Sequence, residues 1–297
     1  MRGIIIVNQE LGHNKYKIKR FKEEFFKLGV SLDVFVNDGT RSVIRENNIY
    51  IRLPHADFVI YLDKDIYLAR ELERAGYRLF NKADFIKLCD DKMLTNIRCA
   101  NEGIRMPKTV SGPLFYSEKL KKDNLTFLDH IMYEVGMPLV FKKVYGSLGT
   151  GVFLVKNKEE LVKLYKKYCR EPIQFQEYIS SSYGKSMRVL VIDKKVVGGF
   201  IRCNTGGDFR SNFGTGASSK KAENCDKYFE FAQNIADKLE IEYAGIDLLF
   251  GYNDEPILCE INSNAFFEEF EKVTGINVAE KFAQMVINTV KKEHEQK

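Results

Sequence analysis

The chain has no tryptophan, and only six prolines and four histidines in 297 residues. Its six cysteines, at 89, 99, 169, 203, 225 and 259, show no CxxC spacing and form no cluster with the histidines. Zinc and a disulfide framework are therefore excluded from the reading, and dispersed thiols of this kind suit a reducing, cytoplasmic setting. No apolar run approaches the ~20 residues needed to span a bilayer. The opening MRGIIIVNQE is too short an apolar stretch for a signal peptide, so a soluble protein without a membrane partner is expected. A large charge of one sign is missing as well. The net charge is +5, with both signs interspersed, which suits small anions such as nucleotides but is too weak to argue for nucleic acid. The only Gly-Lys-Ser, at 184–186, has Ile179 where a Walker loop needs glycine. There is no dinucleotide fingerprint, no convincing Ser-His-Asp or Cys-His set, no repeat and no low-complexity tract.

What is present suffices for a large core. The hydrophobic content is 44%, and a chain of this length suggests two domains or three small ones. Strands at 3–7, 32–36, 58–61 and 78–80 alternate with helices at 15–28 and 65–75, which predicts a small parallel sheet over residues 1–85. Residues 82–102 read as one helix anchored by Phe85, Leu88, Leu94 and Ile97. Helices at 124–135, from Asn157 to Tyr168, at 225–239 and at 277–291 follow. Strands at 138–143, 152–155 and 173–178 and a hairpin of 187–192 with 196–202 complete an α+β remainder, divided at about 178 into 86–178 and 179–297.

The segment Tyr243 to Asn264, YAGIDLLFGYNDEPILCEINSN, carries the most chemistry. A hairpin about Gly251–Glu255 sets Asp247 opposite Glu260, and Asn262 shares that face because strand side chains alternate. Gly245, opposite Asn262, leaves room. Like charges facing across a sheet repel, by roughly 3 kcal/mol at ~5 Å and an effective dielectric of ~20. The flanking residues are apolar, so the strands are expected buried, and a buried carboxylate pair needs a cation between its members. Oxygen ligands of this kind suit Mg²⁺ or Mn²⁺; a solvated hairpin is the alternative.

Other signals are modest singly. The loop Tyr145-Gly-Ser-Leu-Gly-Thr-Gly151 can wrap an anion through its N–H groups or can be a plain hairpin connection. Lys92 and Lys142 can meet phosphates or be solvated charges. Arg188, Arg202 and Arg210 lie in or beside one hairpin and suit carboxylate or phosphate, or form a solvated basic face.

Taken in order, CDDK (89–92), PLVFKKVYGSLGTGV (138–152), FQEYI (175–179), GGDFRSN (206–212), AGIDLL (244–249), CEIN (259–262) and TGINVAEK (274–281) resemble the ATP-grasp superfamily, most closely the RimK-like amino-acid ligases of α-L-glutamate ligase type. The resemblance runs from about 80 to 290. It implies a mixed α/β and α+β chain: an ATP-grasp fold made of a central and a C-terminal subdomain, preceded by a Rossmann-like pre-ATP-grasp domain. It implies ATP and Mg²⁺, two ions in number, as cofactors. Lys92, Lys142, Ser147, Gly149, Gly151, Glu177, Tyr178, Ser186, Arg210, Ser211 and Asn212 would hold the nucleotide, and Asp247, Glu260 and Asn262 the metal. Lys142, Arg188 and Arg210 would assist the chemistry. The expected reaction joins a small-molecule or peptide carboxylate to an amine through an acyl phosphate; homo-oligomers are left open. Two places depart from the family. Ser186 stands before Met187-Arg188 where the family's DIR element has an aspartate, and Asn262–Phe267 replaces N-x-S-P-G. These departures motivate one rival, a nucleotide-binding regulatory protein without turnover; a small-molecule kinase using the same metal site is another.

Overall fold

Buried apolar residues on both faces of a short strand force it into the middle of a layered unit, and Gly3-Ile-Ile-Ile-Val7 is such a strand. The computed structural model describes residues 1–9, 11–116, 125–211 and 217–296. In it β1 (Arg2–Val7), α1 (Lys15–Lys27), β2 (Ser31–Val36), a hairpin of β3 (Ser42–Arg45) and β4 (Asn48–Ile51), β5 (Phe58–Leu62), α2 (Ile66–Arg74) and β6 (Leu79–Phe80) build the first unit. Its sheet is parallel, in the order β2-β1-β5-β6. Ile4 and Ile6 pack with Leu68 and Leu72 of α2, while Ile5 and Val7 pack with Phe21 and Phe25 of α1. The β3–β4 hairpin was not foreseen. Its strands are four residues each, and its turn uses Glu46 and Asn47 at positive φ rather than glycine.

The predicted helix over 82–102 is two helices, α3 (Ala83–Asp90) and α4 (Lys92–Cys99). Asp91 leaves helical geometry, and its carboxylate accepts the Met93 and Leu94 N–H groups at 3.0 and 2.9 Å. A side chain that caps so well competes with continuing the helix. The break turns α4, so Thr95, Asn96 and Cys99 are buried and the expected anchor Ile97 is exposed.

The second sheet joins β7 (Thr109–Ser111), β8 (Leu139–Lys143), β9 (Val152–Val155) and β10 (Ile173–Glu177) in the order β7-β10-β8-β9, backed by α5 (Phe127–Val135) and α6 (Lys158–Tyr168). Leu139, Phe141, Phe175 and Val155 face those helices. Alternation then turns Val140, Lys142, Gln174 and Gln176 to the opposite face.

The third sheet, β13-β12-β11-β14-β15, is antiparallel. It consists of β11 (Lys185–Ile192), β12 (Lys195–Asn204), β13 (Ala217–Lys221), β14 (Tyr243–Phe250) and β15 (Pro256–Asn262). One face packs on α7 (Asp226–Leu239) through Met187, Val189, Ile246 and Leu248. The other is apolar at Leu190, Ile192 and Tyr243, where it meets α9 (Val278–Glu295) and the first unit. Further along, that same face becomes polar. Three short elements, β7, β13 and α8 (Glu268–Thr274), have no signal in the sequence.

Candidate active site

The polar end of the third sheet is set by register. Asp247 on β14 pairs with Arg188 on β11 and with Glu260 on β15, and Gly245 pairs with Asn262. The sequence predicts the Asp247–Glu260 and Gly245–Asn262 pairings, but neither the Arg188–Asp247 pairing nor the bulge in β15. From the turn outward, Leu248 pairs with Leu258, so an uninterrupted ladder would set Cys259 opposite Asp247 and turn Glu260 to the α7 side. Cys259 is instead the extra residue of a bulge, which returns Glu260 to the face of Asp247.

Asp247 is buried. Arg188 grips it with two nitrogens, Nη2 lying 2.6 Å from Oδ2, and Arg202 Nη1 lies 3.4 Å from Oδ1. Burial alone would push the carboxyl up, but the Arg188 and Arg202 guanidiniums outweigh it and hold it below the usual range. The Asn262 amide nitrogen donates to Glu260 Oε1 at 3.1 Å and to Asp247 Oδ2 at 3.4 Å. Gly245 is needed here, because a Cβ would stand 2.9 Å from the Arg188 side chain and 2.8 Å from Ala265. Arg188 therefore serves Asp247 and does not line the cleft beside it, a different part from the direct catalytic one expected of it.

That cleft, of about 960 Å³, lies between the second and third sheets. Asp247, Glu260, Lys92, Lys142, Glu177, Tyr178, Ser186, Arg210 and Ser211 line it, with Ser147 and Gly149 of the glycine loop. Gly151 does not line it; this residue turns the chain at φ +80 against Lys143. Asn212 lies outside the described residues. Lys142 is 8% exposed. Burial lowers Lys92 below its ordinary range, with Glu260 opposing and Lys142 assisting. Lys92 Nζ donates to the Gly146 carbonyl at 2.9 Å, and Arg210 Nη1 to the Gly149 carbonyl at 2.8 Å. Both cations hold the loop over the cleft. Ser186 and Ser211 share a 2.6 Å hydrogen bond where the family pattern has an aspartate before Met187-Arg188. The wall beyond is apolar and aromatic, with Val140, Val152, Ile179, Leu249 and Phe209.

The sequence reading left Lys185, Gln176, Cys259 and Lys64 without a role. Lys185 belongs to the Gly-Lys-Ser that fails as a Walker loop, yet it lines the cleft. Cys259 lines it too, but burial pushes its thiol up to about 11, so it is not an activated nucleophile. Lys64 pairs with Asp90 and donates to Ser147 Oγ at 3.0 Å.

Two carboxylates and an amide on one face, beside a basic cleft, fit a hard divalent cation that keeps open positions for phosphate oxygens. Among the described residues no three His, Cys, Asp or Glu side chains cluster as a metal cage. A Mg²⁺ carried in with its substrate needs none. No helix of the described residues is long and apolar enough to cross a membrane.

A family model for the RimK-like ATP-grasp domain matches residues 89–286. The chain is 32% identical over 265 residues to the uncharacterized protein MG012 homolog of Mycoplasma pneumoniae, covering 87% of this chain and 88% of that one. It is 31% identical over 227 residues to beta-citrylglutamate synthase B of Danio rerio, covering 76% of this chain but only 54%, about half, of that relative. Among solved structures, a RimK domain ATP-grasp protein from Sphaerobacter thermophilus superposes with a TM-score of 0.71 at 16% identity, covering 96% of this chain and 99% of that one. The chain belongs to the RimK-like ATP-grasp family.

Proposed function

We propose a division of labour for an ATP-dependent carboxylate–amine ligase, the activity its family carries. One observation carries it: the Asp247–Glu260 pair, steadied by Arg188 and Asn262, opens on the same cleft as Lys92, Lys142, Arg210 and the glycine loop. Asp247, Glu260 and Asn262 would hold magnesium, two ions by the family's pattern, with Mn²⁺ as an alternative. Bound there, the metal neutralises phosphate oxygens. The base would lie against Tyr178, Ile179 and Leu249. Glu177 already spends its own N–H on the Lys108 carbonyl at 2.8 Å and accepts the Lys108 N–H on its side chain. Lys92, Lys142 and Arg210 would exchange loop carbonyls and solvent for phosphates.

A substrate carboxylate oxygen attacks the γ-phosphorus, the bond to ADP breaks, and an acyl phosphate forms. An amine then attacks the carbonyl carbon, phosphate leaves, and the amine loses a proton. The protein supplies position and charge rather than a nucleophile. A cytoplasmic setting belongs to this reading, with all six cysteines free thiols. The test is phosphate release from Mg–ATP with a panel of acids and amines, followed by the mass of the product. An amide and equimolar phosphate support the reading. Nucleotide binding without phosphate release selects a regulatory protein, and a stable phosphorylated acid selects a kinase.

A further inference from the structure

Between its metal end and its apolar end the cleft carries two neutral hydroxyls. Ser186 and Ser211 are 7% and 9% exposed, line the cleft and share a 2.6 Å hydrogen bond. Strand register fixes their place. Arg188 of β11 pairs with Asp247 and Met187 with Leu248. Ser186 therefore falls in the row of Leu249, on the sheet face that carries Arg188 and Asp247. That row is one same-face step, about 7 Å, from the row of Asp247. With the triphosphate at Asp247 and Glu260 and the base against Tyr178, Ile179 and Leu249, the part of the nucleotide beside the two hydroxyls is its sugar.

A carboxylate is the usual acceptor for ribose hydroxyls in nucleotide sites. Among the described residues, the carboxylates that line this cleft are Glu177, Asp247 and Glu260. Glu177 turns toward Lys108, beside β7, and accepts its N–H at 3.1 Å. Asp247 is taken by Arg188 and Arg202, and Glu260 by Asn262; both of these acids face the proposed metal. The sugar row itself holds the serine pair. A hydroxyl pair differs in kind from a carboxylate. Each hydroxyl has one proton and two lone pairs, and the two already satisfy each other. A buried carboxylate left without its donor suffers the desolvation of a charge. A self-bonded pair of hydroxyls that meets no sugar hydroxyl loses about one neutral hydrogen bond.

We propose that Ser186, bonded to Ser211, makes this chain tolerant of the nucleotide's sugar, so that 2′-deoxy-ATP and 3′-deoxy-ATP bind nearly as well as ATP. Ser186 is then the position that sets sugar specificity. This inference rests on the nucleotide-binding part of the ligase reading and is tested apart from it. The full chain is titrated calorimetrically with ATP, 2′-deoxy-ATP and 3′-deoxy-ATP, each with Mg²⁺ and without acid or amine. In the wild type both analogues bind within about fivefold of ATP, the range of one neutral hydrogen bond. Ser186→Asp sets a charged acceptor in the sugar row. Its preference for ATP over at least one analogue rises at least about threefold above the wild-type ratio, because hydrogen bonds to a charged group are stronger. A merely structural role for Ser186 would weaken all three nucleotides together and leave the ratios unmoved. A wild type that prefers ATP over either analogue by more than about fivefold overturns the proposal. So does a smaller rise in a Ser186→Asp variant that still binds ATP. If Ser186→Asp yields no folded protein, Ser211→Asp is held to the same criterion, and the wild-type ratios decide without any variant. ATP affinity judges the nucleotide reading separately. A wild type that fails to bind ATP removes that reading and this one with it, whereas tight ATP binding with rejection of the analogues keeps the first and removes the second.

Discussion

At the scale of single residues, the site is a problem of burying like charges together. Asp247 and Glu260 face each other, and Arg188 neutralises one of them before any ion arrives. Glu260→Gln keeps the shape and the Asn262 contact but removes a negative ligand. Phosphate release should fall by about a hundredfold or more, while the melting temperature holds or rises because the repulsion is relieved. Near wild-type turnover in a well-folded variant would refute the metal assignment. Lys142→Ala, at a position 8% exposed on the cleft wall, should weaken Mg–ATP binding by about tenfold or more through loss of a charge-assisted contact; unchanged affinity by calorimetry contradicts the role. Lys17 gives a pH signature. Its folded-state value near 7 lies below the ordinary 10.5, so between those values the unfolded chain holds a proton that the folded chain has released. Raising the pH across that window favours the fold by up to about 1.4 kcal/mol per unit. Lys17→Met, which cannot titrate, should therefore show its greatest stability advantage below pH 7 and lose it toward pH 10.5. Denaturant midpoints of both proteins at pH 6, 8 and 10 check this, and an advantage that grows with pH contradicts the burial account.

At the scale of elements, what was legible followed from period and punctuation. The Asp247–Glu260 pairing could be read because a turn and two apolar runs fix a short-range register. The Asp193-Lys194 turn joins β11 and β12 where its flanking runs predict. Short or polar elements had no such signal. β13 reads Ala-Ser-Ser-Lys-Lys, and α8 buries only Phe270. Pairings between distant segments were equally silent, such as Lys142 with Gln174 or Arg188 with Asp247, because nothing local encodes them. Lys17 stands one turn before Phe21, on the buried stripe, but a lysine in a Lys-rich helix start reads as surface. The helix break at Asp91 was missed because apolar spacing continues through it, while its consequence is functional. The cap fixes the first turn of α4, and with it Lys92 under the loop. Asp91→Ala should cost about 1 kcal/mol of stability and raise the KM for ATP severalfold, since Tyr145 also loses its 2.9 Å hydrogen bond to Asp91. A KM identical to wild type would separate the cap from the nucleotide site.

At the scale of the whole molecule, the glycine loop is held from three directions. Lys64 from the parallel-sheet unit reaches Ser147, Lys92 from α4 reaches Gly146, and Arg210 from beyond the third sheet reaches Gly149. Two of these cations are the proposed phosphate ligands, so nucleotide and loop compete for them, whereas Lys64 does not line the cleft and divides its contacts between Asp90 and Ser147 of the loop. Its contact joins the first unit to the proposed cover over ATP. An acyl phosphate survives only where water is kept out, and loop closure is how a site of this shape excludes it. Lys64→Ala should therefore leave ATP affinity within about twofold, because a partly exposed ion pair contributes little to binding. The loss should fall on coupling instead, with more phosphate released than amide formed as the intermediate hydrolyses before the amine arrives. Phosphate and amide measured in the same reaction decide it. A ratio that stays at one in the variant would show that Lys64 does not govern the cover.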